Sequence, residues 1–370
     1  MKQTTALARA VAIAVSGLTM QLAHGAAAWY DLGAGRTVTG ASANGGVAAA
    51  YDGARYYVWT PAGGVKSIGG RWESGVASVS GDGTLVSGST VGADGNTQAA
   101  VYTVATGRWT ALGGIGGASG TSESSAWAMA GNGQSIVGLG WVDAGTAHAV
   151  QSTPAGILHD LGSLGGSSRA NGVNADGSMV VGWQELANGF WQGTYWRNGV
   201  ATLMFDEHGA ELSEANAVSA DGTWVVGDAL GGQETWRYNT QTSTIQYLGD
   251  LDPSGDQQAA TGISADGRVI VGYDRNSGPP QLGTGSIWIE GLGMLNLTDY
   301  AESQGIDLHG RTLALPMGVS ADGTTVYGLD SARHGFVVTL APIPEPGTYA
   351  LFGIGLIGVM VARRRARTAA

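Results

Sequence analysis

The stretch ANAVSADGTWVVG (residues 215–227) has the pattern of a β-hairpin. A run of small and apolar residues leads into Asp221-Gly222, a pair that supplies the positive-φ positions of a tight turn. The β-branched run that follows is typical of a strand. Local capping by the Asp side chain explains its position more simply than calcium binding does, so we predict no metal site in this turn.

The same hairpin pattern recurs along the chain. The further copies are TGASANGGVAAAY (39–51, the weakest), GVASVSGDGTLVSG (75–88), AWAMAGNGQSIVG (126–138), ANGVNADGSMVVG (170–182), ATGISADGRVIVG (260–272) and PMGVSADGTTVYG (316–328). Their Asx-Gly pairs stand 38 to 56 residues apart. A third strand is predicted after each hairpin and a fourth strand after the first six of them, for example GTYWRN (193–198) and VATLMF (200–205). Four strands in about 45 residues match the period of a β-propeller blade.

One strand is missing from this count at the end of the chain. Seven hairpins and seven third strands are followed by only six fourth strands, and WYDLG (29–33) would supply the seventh. We therefore predict an all-β, seven-bladed β-propeller, whose last blade (316–340) is closed by residues 29–33. A six- or eight-bladed propeller and a β-solenoid are the alternatives, although a solenoid would not need its first strand to complete its last repeat.

The repeat resembles the HAF repeat of bacterial extracellular proteins, which is named for a His-Ala-Phe triplet in its third strand. His148-Ala149-Val150 is the nearest match and His334-Gly335-Phe336 a looser one, while most repeats replace the triplet. LHDLGSLGG (158–166), followed by another NADG hairpin, fits the repeat well. The resemblance covers about residues 30–340 and implies a secreted propeller, but it carries no agreed reaction.

The first 25 residues have the features of a secretory signal peptide. Lys2 and Arg9 precede an apolar run, and the small residues Ala23 and Gly25 stand at −3 and −1 of a cut before Ala26. A buried N-terminal helix is the alternative. We thus divide the chain into a signal peptide (1–25), a β-propeller of HAF-like repeats (26–341) and a sorting segment (342–370).

The sorting segment, PIPEPGTYALFGIGLIGVMVARRRARTAA, has three parts. They are the triplet Pro344, Glu345 and Pro346, an uncharged run over 349–362, and the cluster Arg363, Arg364 and Arg365. The run is short for a bilayer span, but the Arg cluster is typical of an end that stays in the cytoplasm. The segment resembles the PEP-CTERM sorting signal of Gram-negative bacteria; an ordinary C-terminal anchor is the alternative.

The PEP-CTERM resemblance implies a route and a destination. A membrane exosortase would recognise the segment, which anchors the protein in the inner membrane by a short transmembrane helix until it is processed near the motif. It also implies a producer of exopolysaccharide, with this protein exported to the cell surface or the extracellular matrix.

Composition excludes several classes of function. The chain has no Cys, which excludes disulfides, thiolate metal sites and thiol catalysis. The first 25 and last eight residues hold six of the 18 basic residues and none of the 29 acidic ones, so the part between them carries a net charge of −17. A body of this charge with almost no Lys is a poor nucleic-acid binder, and we predict no nucleic-acid partner.

An aromatic cluster is the first candidate for ligand contact. The stretch GWQELANGFW (182–191) contains Trp183, Phe190 and Trp191, which could stack on sugar rings. The alternative is that these side chains belong to the core of a blade, as about one Trp per repeat is expected to do.

An acidic stretch is the second candidate. FDEHGAELSEAN (205–216) contains Asp206, Glu207 and His208, followed by Glu211 and Glu214. Such a set could bind a cation or provide a carboxylate pair for glycoside chemistry. A solvated loop between two repeats is the alternative.

No catalytic motif is present, and the histidines are spread over different repeats. We therefore assign no catalytic residue, no metal and no cofactor, and we expect that the protein is not an enzyme. We predict an exported surface or exopolysaccharide-matrix propeller with an interaction or structural role, whose partners are an exosortase and, in the matrix, exopolysaccharide or surface proteins. The alternative is a secreted polysaccharide-acting enzyme that uses acidic residues on the propeller face.

Overall fold

The structure is a computed structural model that describes residues 27–70, 75–116, 122–153, 155–230, 234–252, 257–275 and 282–342. The predicted signal peptide, the PEP triplet, the tail helix and the Arg cluster lie outside these residues. The described part is built almost entirely from short strands and tight turns, and it contains one helix, α1 (Leu297–Ser303). The side chain of Asn296 caps this helix by accepting from the backbone N–H groups of Thr298 and Asp299.

The strands of the first third are β1 (Ala28–Ala34), β2 (Thr37–Ala41), β3 (Ala48–Tyr51), β4 (Tyr56–Thr60), β5 (Gly64–Gly69), β6 (Ser78–Val79), β7 (Leu85–Val91), β8 (Thr97–Thr103) and β9 (Arg108–Ala111). The middle strands are β10 (Ser124–Met129), β11 (Ile136–Trp141), β12 (Ala147–Ser152), β13 (Leu158–Asp160), β14 (Ser168–Val173), β15 (Met179–Glu185), β16 (Trp191–Arg197), β17 (Val200–Leu203), β18 (Ala215–Val218) and β19 (Trp224–Leu230). The last strands are β20 (Thr235–Asn239), β21 (Thr244–Gly249), β22 (Gln257–Ile263), β23 (Val269–Arg275), β24 (Thr284–Ile289), β25 (Gly293–Asn296), β26 (Leu315–Val319), β27 (Thr325–Leu329) and β28 (His334–Thr339).

The strands form small antiparallel sheets in chain order. Strands β2–β5, β6–β9, β10–β13 and β14–β17 each make a four-stranded sheet, because every strand pairs with the next along the chain. Strands β18–β25 make an eight-stranded sheet, in which residues 228–230 of β19 pair with β22. The predicted all-β arrangement of repeated antiparallel sheets is confirmed.

The remaining sheet joins the two ends of the described chain. Its order is β1-β28-β27-β26, with Ala28 opposite Thr339 and Ala34 opposite His334. The pairing predicted between the WYDLG strand and the last repeat is therefore present. Leu32 of β1 is only 1% exposed and packs in one apolar cluster with Trp59.

The hairpin turns are held by hydrogen bonds within each turn. Ser219 Oγ donates to Asp221 Oδ1 (2.8 Å), while the backbone N–H groups of Thr223 and Trp224 donate to Asp221 and Ser219 (both 2.9 Å). The same bonds recur in the turns around Asp82, Asp266 and Asp322. The Asp side chains thus cap their own turns, as expected for an Asx-Gly hairpin.

The turns also bond to one another in a closed ring. The residues that precede the Asx of each turn are all small: Ala43, Gly81, Gly131, Ala175, Ala220, Ala265 and Ala321. At each step a backbone N–H of one turn donates to the carbonyl oxygen of the next, at 2.8 to 3.2 Å, and Asp322 closes the ring by donating to Ala43. A Cβ atom at Gly81 would lie 2.8 Å from the carbonyl oxygen of Gly131, so the turns meet too closely for larger side chains.

Neighbouring first strands are also tied by side chains that reach across. Thr39 Oγ1 donates to the carbonyl oxygen of Ala77 (2.8 Å), and Thr261 Oγ1 to that of Pro316 (2.7 Å). One residue after Thr261, a Cβ atom at Gly262 would lie 2.6 Å from the Cα of Gly318, so the two backbones are in direct contact. The first strands β2, β6, β10, β14, β18, β22 and β26 surround a central channel. The ring of turns lies at one end of this channel, and we call the opposite end the mouth.

Candidate functional site

The central channel is a cavity of about 700 Å³. This volume lies within the usual range of sites that hold small molecules. Its middle section is lined mostly by apolar side chains, namely Val79, Met129, Val173, Val218, Ile263 and Val319. The polar and charged lining residues lie nearer the mouth, at the starts of first strands and the ends of second strands.

An ion pair between two first strands marks the mouth. Arg169, the second residue of β14, pairs with the carboxylate of Glu214, which directly precedes β18. Asn171 bonds to both partners, because it accepts from Arg169 Nε and donates to Glu214 Oε1 (both 2.7 Å). Glu214 is buried, and a buried charge is costly unless it is paired. The guanidinium of Arg169 and the amide of Asn171 compensate for it here.

A second carboxyl group lies beside this pair. Burial, followed by the negative charge of Glu214, raises the pKa of Asp228 in β19 from 3.8 to about 6. Asn216 Nδ2 donates to Asp228 Oδ1 at 2.6 Å and opposes this rise. A carboxyl group that titrates near pH 6 inside a cavity is a candidate for function.

The end of β23 adds a phenol and a second guanidinium to the lining. Burial, together with the charges of Asp228 and Glu214, raises the pKa of Tyr273. The guanidinium carbon of Arg275 lies 5.5 Å from the centroid of the Tyr273 ring, and Arg275 Nε donates to Gln257 Oε1 at 2.8 Å.

Sequence reasoning missed most of this mouth. Only Glu214 was singled out, as one member of the acidic stretch 205–216. Arg169, Asp228 and the pair Tyr273 and Arg275 stand in three separate repeats and match no motif. One signal for the ion pair is that Arg169 and Glu214 stand at the same position of adjacent repeats, directly before the Ala that pairs with the Gly of the second strand.

Aromatic rings connect the mouth to the outer surface. Trp191 stacks on Trp183 with a centroid distance of 4.3 Å and an angle of 8° between the rings. The guanidinium of Arg169 lies 5.4 Å from Trp183 and 3.9 Å from Trp127, a lining residue of the channel. We call the series Trp191, Trp183, Arg169 and Trp127 the aromatic ladder.

The three aromatic candidates therefore differ in their surroundings. Trp183 is 6% exposed and packs against the inner face of Trp191, which is 48% exposed. Phe190, in the turn before Trp191, is 69% exposed. The structure brings Trp183 and Trp191 together and presents Phe190 and Trp191 to solvent.

The acidic candidates do not form one cluster. Asp206 caps its own loop, because its Oδ1 accepts from the backbone N–H groups of His208 (2.8 Å) and Ala210 (2.7 Å). Glu207 and His208 are exposed and lie 3.9 Å apart, while Glu214 is buried at the channel mouth. Within the described ranges, no group of three or more acidic or histidine side chains is placed to hold a metal ion.

Two His–Asp pairs join third strands to fourth strands. His148 Nδ1 lies 2.8 Å from Asp160, and the same atom of His334 lies 2.9 Å from Asp31. Ser163 Oγ lies 3.1 Å from Nε2 of His148. Ser163, His148 and Asp160 thus follow one another in the order of a Ser-His-Asp triad. At the other pair, Ala34 stands in the place of Ser163, so that pair has no hydroxyl group at this position. We therefore interpret both His–Asp pairs as structural contacts between strands.

The family comparison concerns the end of the chain. The model of the PEP-CTERM protein-sorting motif matches residues 342–365, which include the PEP triplet and the first three Arg of the tail. The motif implies export through an exosortase system, with a transient membrane anchor on the way to the cell surface. No curated protein matches the chain.

Several solved structures are similar to the chain at very low sequence identity. An oligogalacturonate lyase from Vibrio parahaemolyticus is 11% identical, with a TM-score of 0.53, and the match covers 86% of this chain and 94% of that one. A putative TolB from Agrobacterium tumefaciens is 13% identical, covering 71% and 80%, with a TM-score of 0.42. TolB from Acinetobacter baumannii is 12% identical, covering 85% and 65%, with a TM-score of 0.44. The lyase likeness supports a β-propeller and says nothing of activity.

The predicted tail helix falls on residues that the structure does not describe. Among the residues that it does describe, no helix is long and apolar enough to cross a membrane.

Proposed function

We propose that the protein is an exported seven-bladed β-propeller of HAF-like repeats, displayed at the cell surface or in the exopolysaccharide matrix. Its role is to bind matrix carbohydrate rather than to catalyse a reaction. The contact surface is formed by Phe190 and Trp191, which we call the aromatic platform.

Two features support the count of seven blades and the type of repeat. The ring of turns contains seven Asx-Gly turns, and the eight-stranded sheet divides into two groups of four at the junction of β19 and β22. Each of the two His–Asp pairs joins a third-strand His to the Asp of a DLG fourth strand. The His of the HAF motif and the Asp of the DLG motif would thus hold the third and fourth strands together.

The geometry of the aromatic platform is the observation that carries the carbohydrate proposal. Trp191 is held parallel to buried Trp183, so one of its faces is fixed and little ordering is needed on binding. Phe190 beside it exposes a further apolar ring. Large exposed apolar groups of this kind mark interaction sites, and the C–H face of a sugar ring is a suitable partner for a flat aromatic surface.

Charge favours a neutral saccharide as that partner. The body carries a net charge of −17, so long acidic polysaccharides are repelled unless cations bridge them. Stacking on an indole ring requires no charge.

Affinity electrophoresis in gels that contain dextran, hydroxyethylcellulose or alginate tests this function. The processed domain should be retarded by at least one neutral polymer, and Trp191→Ala should weaken that binding about tenfold, as expected for loss of a central aromatic contact. Val200→Ala, on the exposed outer strand β17, is the matched control and should bind normally. Retardation that survives Trp191→Ala, or no retardation by any neutral polymer, would overturn the proposal.

A polysaccharide-acting enzyme is the second candidate, and the raised pKa of Asp228 beside Glu214 favours it. A carboxyl group that is partly protonated near pH 6 could act as a general acid. Release of reducing ends from the same polymers, abolished by Asp228→Asn, would establish it. No release by the unmodified domain would leave binding as the function.

A further inference from the structure

The two guanidinium groups at the channel mouth differ in their partners. Arg169 is paired with Glu214, and both are held by Asn171. Among the described residues, no carboxylate oxygen lies within 4 Å of Arg275, whose hydrogen-bond partner is the neutral side chain of Gln257. Arg275 is thus a guanidinium on the wall of a cavity with terminal N–H groups available to a ligand.

The section of the cavity next to the ring of turns is lined by apolar side chains. The side chains of Val173, Val218 and Ile263 face it from successive first strands, and Ala220 and Ala265 belong to the ring. A molecule that enters from the mouth therefore meets charge first and hydrocarbon afterwards. Burial of an apolar body would be favourable here at the usual hydrophobic strength.

We propose that the channel binds a small organic anion with an apolar body. Its acidic group bonds to Arg275 at the mouth, and its body lies against the aliphatic side chains of the middle section. A guanidinium suits this role because its N–H groups match the oxygens of a carboxylate or sulfonate in pairs. This site is separate from the aromatic platform and goes beyond the proposed carbohydrate binding.

Three ligands that share an octyl chain test the choice of head group on the unmodified domain. Octane-1-sulfonate, 1-octanol and octylamine should all reach the apolar section, and calorimetric titration would rank them. We expect the sulfonate to bind about tenfold more tightly than the alcohol, the effect of one charge-assisted hydrogen-bonded pair. Equal affinities, tightest binding of the amine, or no binding of the sulfonate would overturn the proposal.

Variants then locate the anion. Arg275→Gln should reduce the affinity for octane-1-sulfonate to that of 1-octanol and leave the alcohol unchanged. Arg275→Lys keeps the charge without the paired geometry and should give an intermediate value. Trp191→Ala should leave sulfonate binding intact, so failure of the platform and failure of the channel site are distinguishable. An unchanged sulfonate affinity in Arg275→Gln would contradict the assignment.

A pH series provides an independent readout, because octane-1-sulfonate stays ionised. The charged and titratable groups that face the mouth are Arg169, Glu214, Asp228, Tyr273 and Arg275. The pKa of Asp228 is raised to about 6, and its protonation removes a negative charge from the neighbourhood of Arg275. Sulfonate should therefore bind more tightly at pH 5.5, and Asp228→Asn should abolish this difference. Weaker binding at pH 5.5 would contradict it.

Discussion

Single residues decide how closely the repeats can approach. The Asx of each hairpin is tied to its own turn, and the small residue before it allows a backbone contact with the next turn. Gly81 and Gly262 show the limit, since a Cβ atom at either position would lie under 3 Å from a neighbouring backbone atom. One methyl group added there would force the backbones of two repeats apart.

The carboxyl group of Asp228 should give the stability of the domain an unusual pH dependence. Its pKa is raised, so the folded state holds its proton more tightly than the unfolded chain does, and stability falls as pH rises from about 4 to about 6. Asp228→Asn keeps an oxygen that can accept from Asn216 but removes the charge. We expect this variant to be more stable by about 1–3 kcal/mol at pH 8 and unchanged near pH 4, measured by urea unfolding.

Asp176 is the matched control for this measurement. Hydrogen bonds from Ser178 lower the pKa of Asp176, so its contribution is present above its ordinary pKa and is lost as pH falls. Asp176→Asn should therefore gain no stability at pH 8. A gain of stability at pH 8 in Asp176→Asn, or no gain in Asp228→Asn, would contradict the assignment of this pH dependence to Asp228.

At the scale of elements, the closing strand β1 is fixed by charge as well as by its ladder with β28. Asp31 pairs with His334 (2.9 Å) and with Arg311 (3.0 Å), and Arg311 also reaches buried Asp330 (2.8 Å). Burial alone would raise the pKa of Asp31, but the hydrogen bonds from Gly33 and His334 and the charge of Arg311 hold it below its ordinary value. The stability from this network is lost in acid, as pH falls through that lowered pKa.

The contribution of β1 to the fold can be measured with Leu32. Leu32→Ala opens a cavity between the closing sheet and Trp59 of the neighbouring sheet, and should cost about 2–5 kcal/mol of unfolding free energy in urea. Val200→Ala truncates a 68% exposed side chain on another outer strand and should change stability by no more than about 0.5 kcal/mol. Equal effects of the two substitutions would mean that β1 is not needed to hold the ring together.

At the scale of the whole molecule, the position of the last strand predicts which face of the domain lies toward the membrane. Strand β28 ends beside the Asp322-Gly323 turn, since the backbone N–H of Leu340 donates to the carbonyl oxygen of Thr324. Pro344 follows Leu340 by four residues, which span at most about 15 Å. Until the tail is processed, we expect the ring of turns to face the membrane and the channel mouth to face away from it.

The sorting motif at 342–365 predicts that the tail is removed. Mass spectrometry of the mature protein should find no residues after about Pro346. Replacing Glu345 by Ala should leave the Arg tail in place and retain the protein in the membrane fraction. Recovery of Arg363 and Arg364 in mature surface protein would contradict processing at this site.

The sequence by itself determined the hairpins, the repeated antiparallel sheets and the closing role of WYDLG. Each of these depends on local signals, such as Asx-Gly turns and β-branched runs, which recur at a regular spacing. The roles of Trp183 and Trp191 could not be separated in this way, because alternation along a strand does not show which ring its neighbours cover. Only the tertiary structure brought Arg169, Asp228 and Arg275 to one channel mouth, since they belong to separate repeats and interact only once the sheets pack around the channel. The raised pKa of Asp228 is likewise a product of burial, which no stretch of sequence specifies alone.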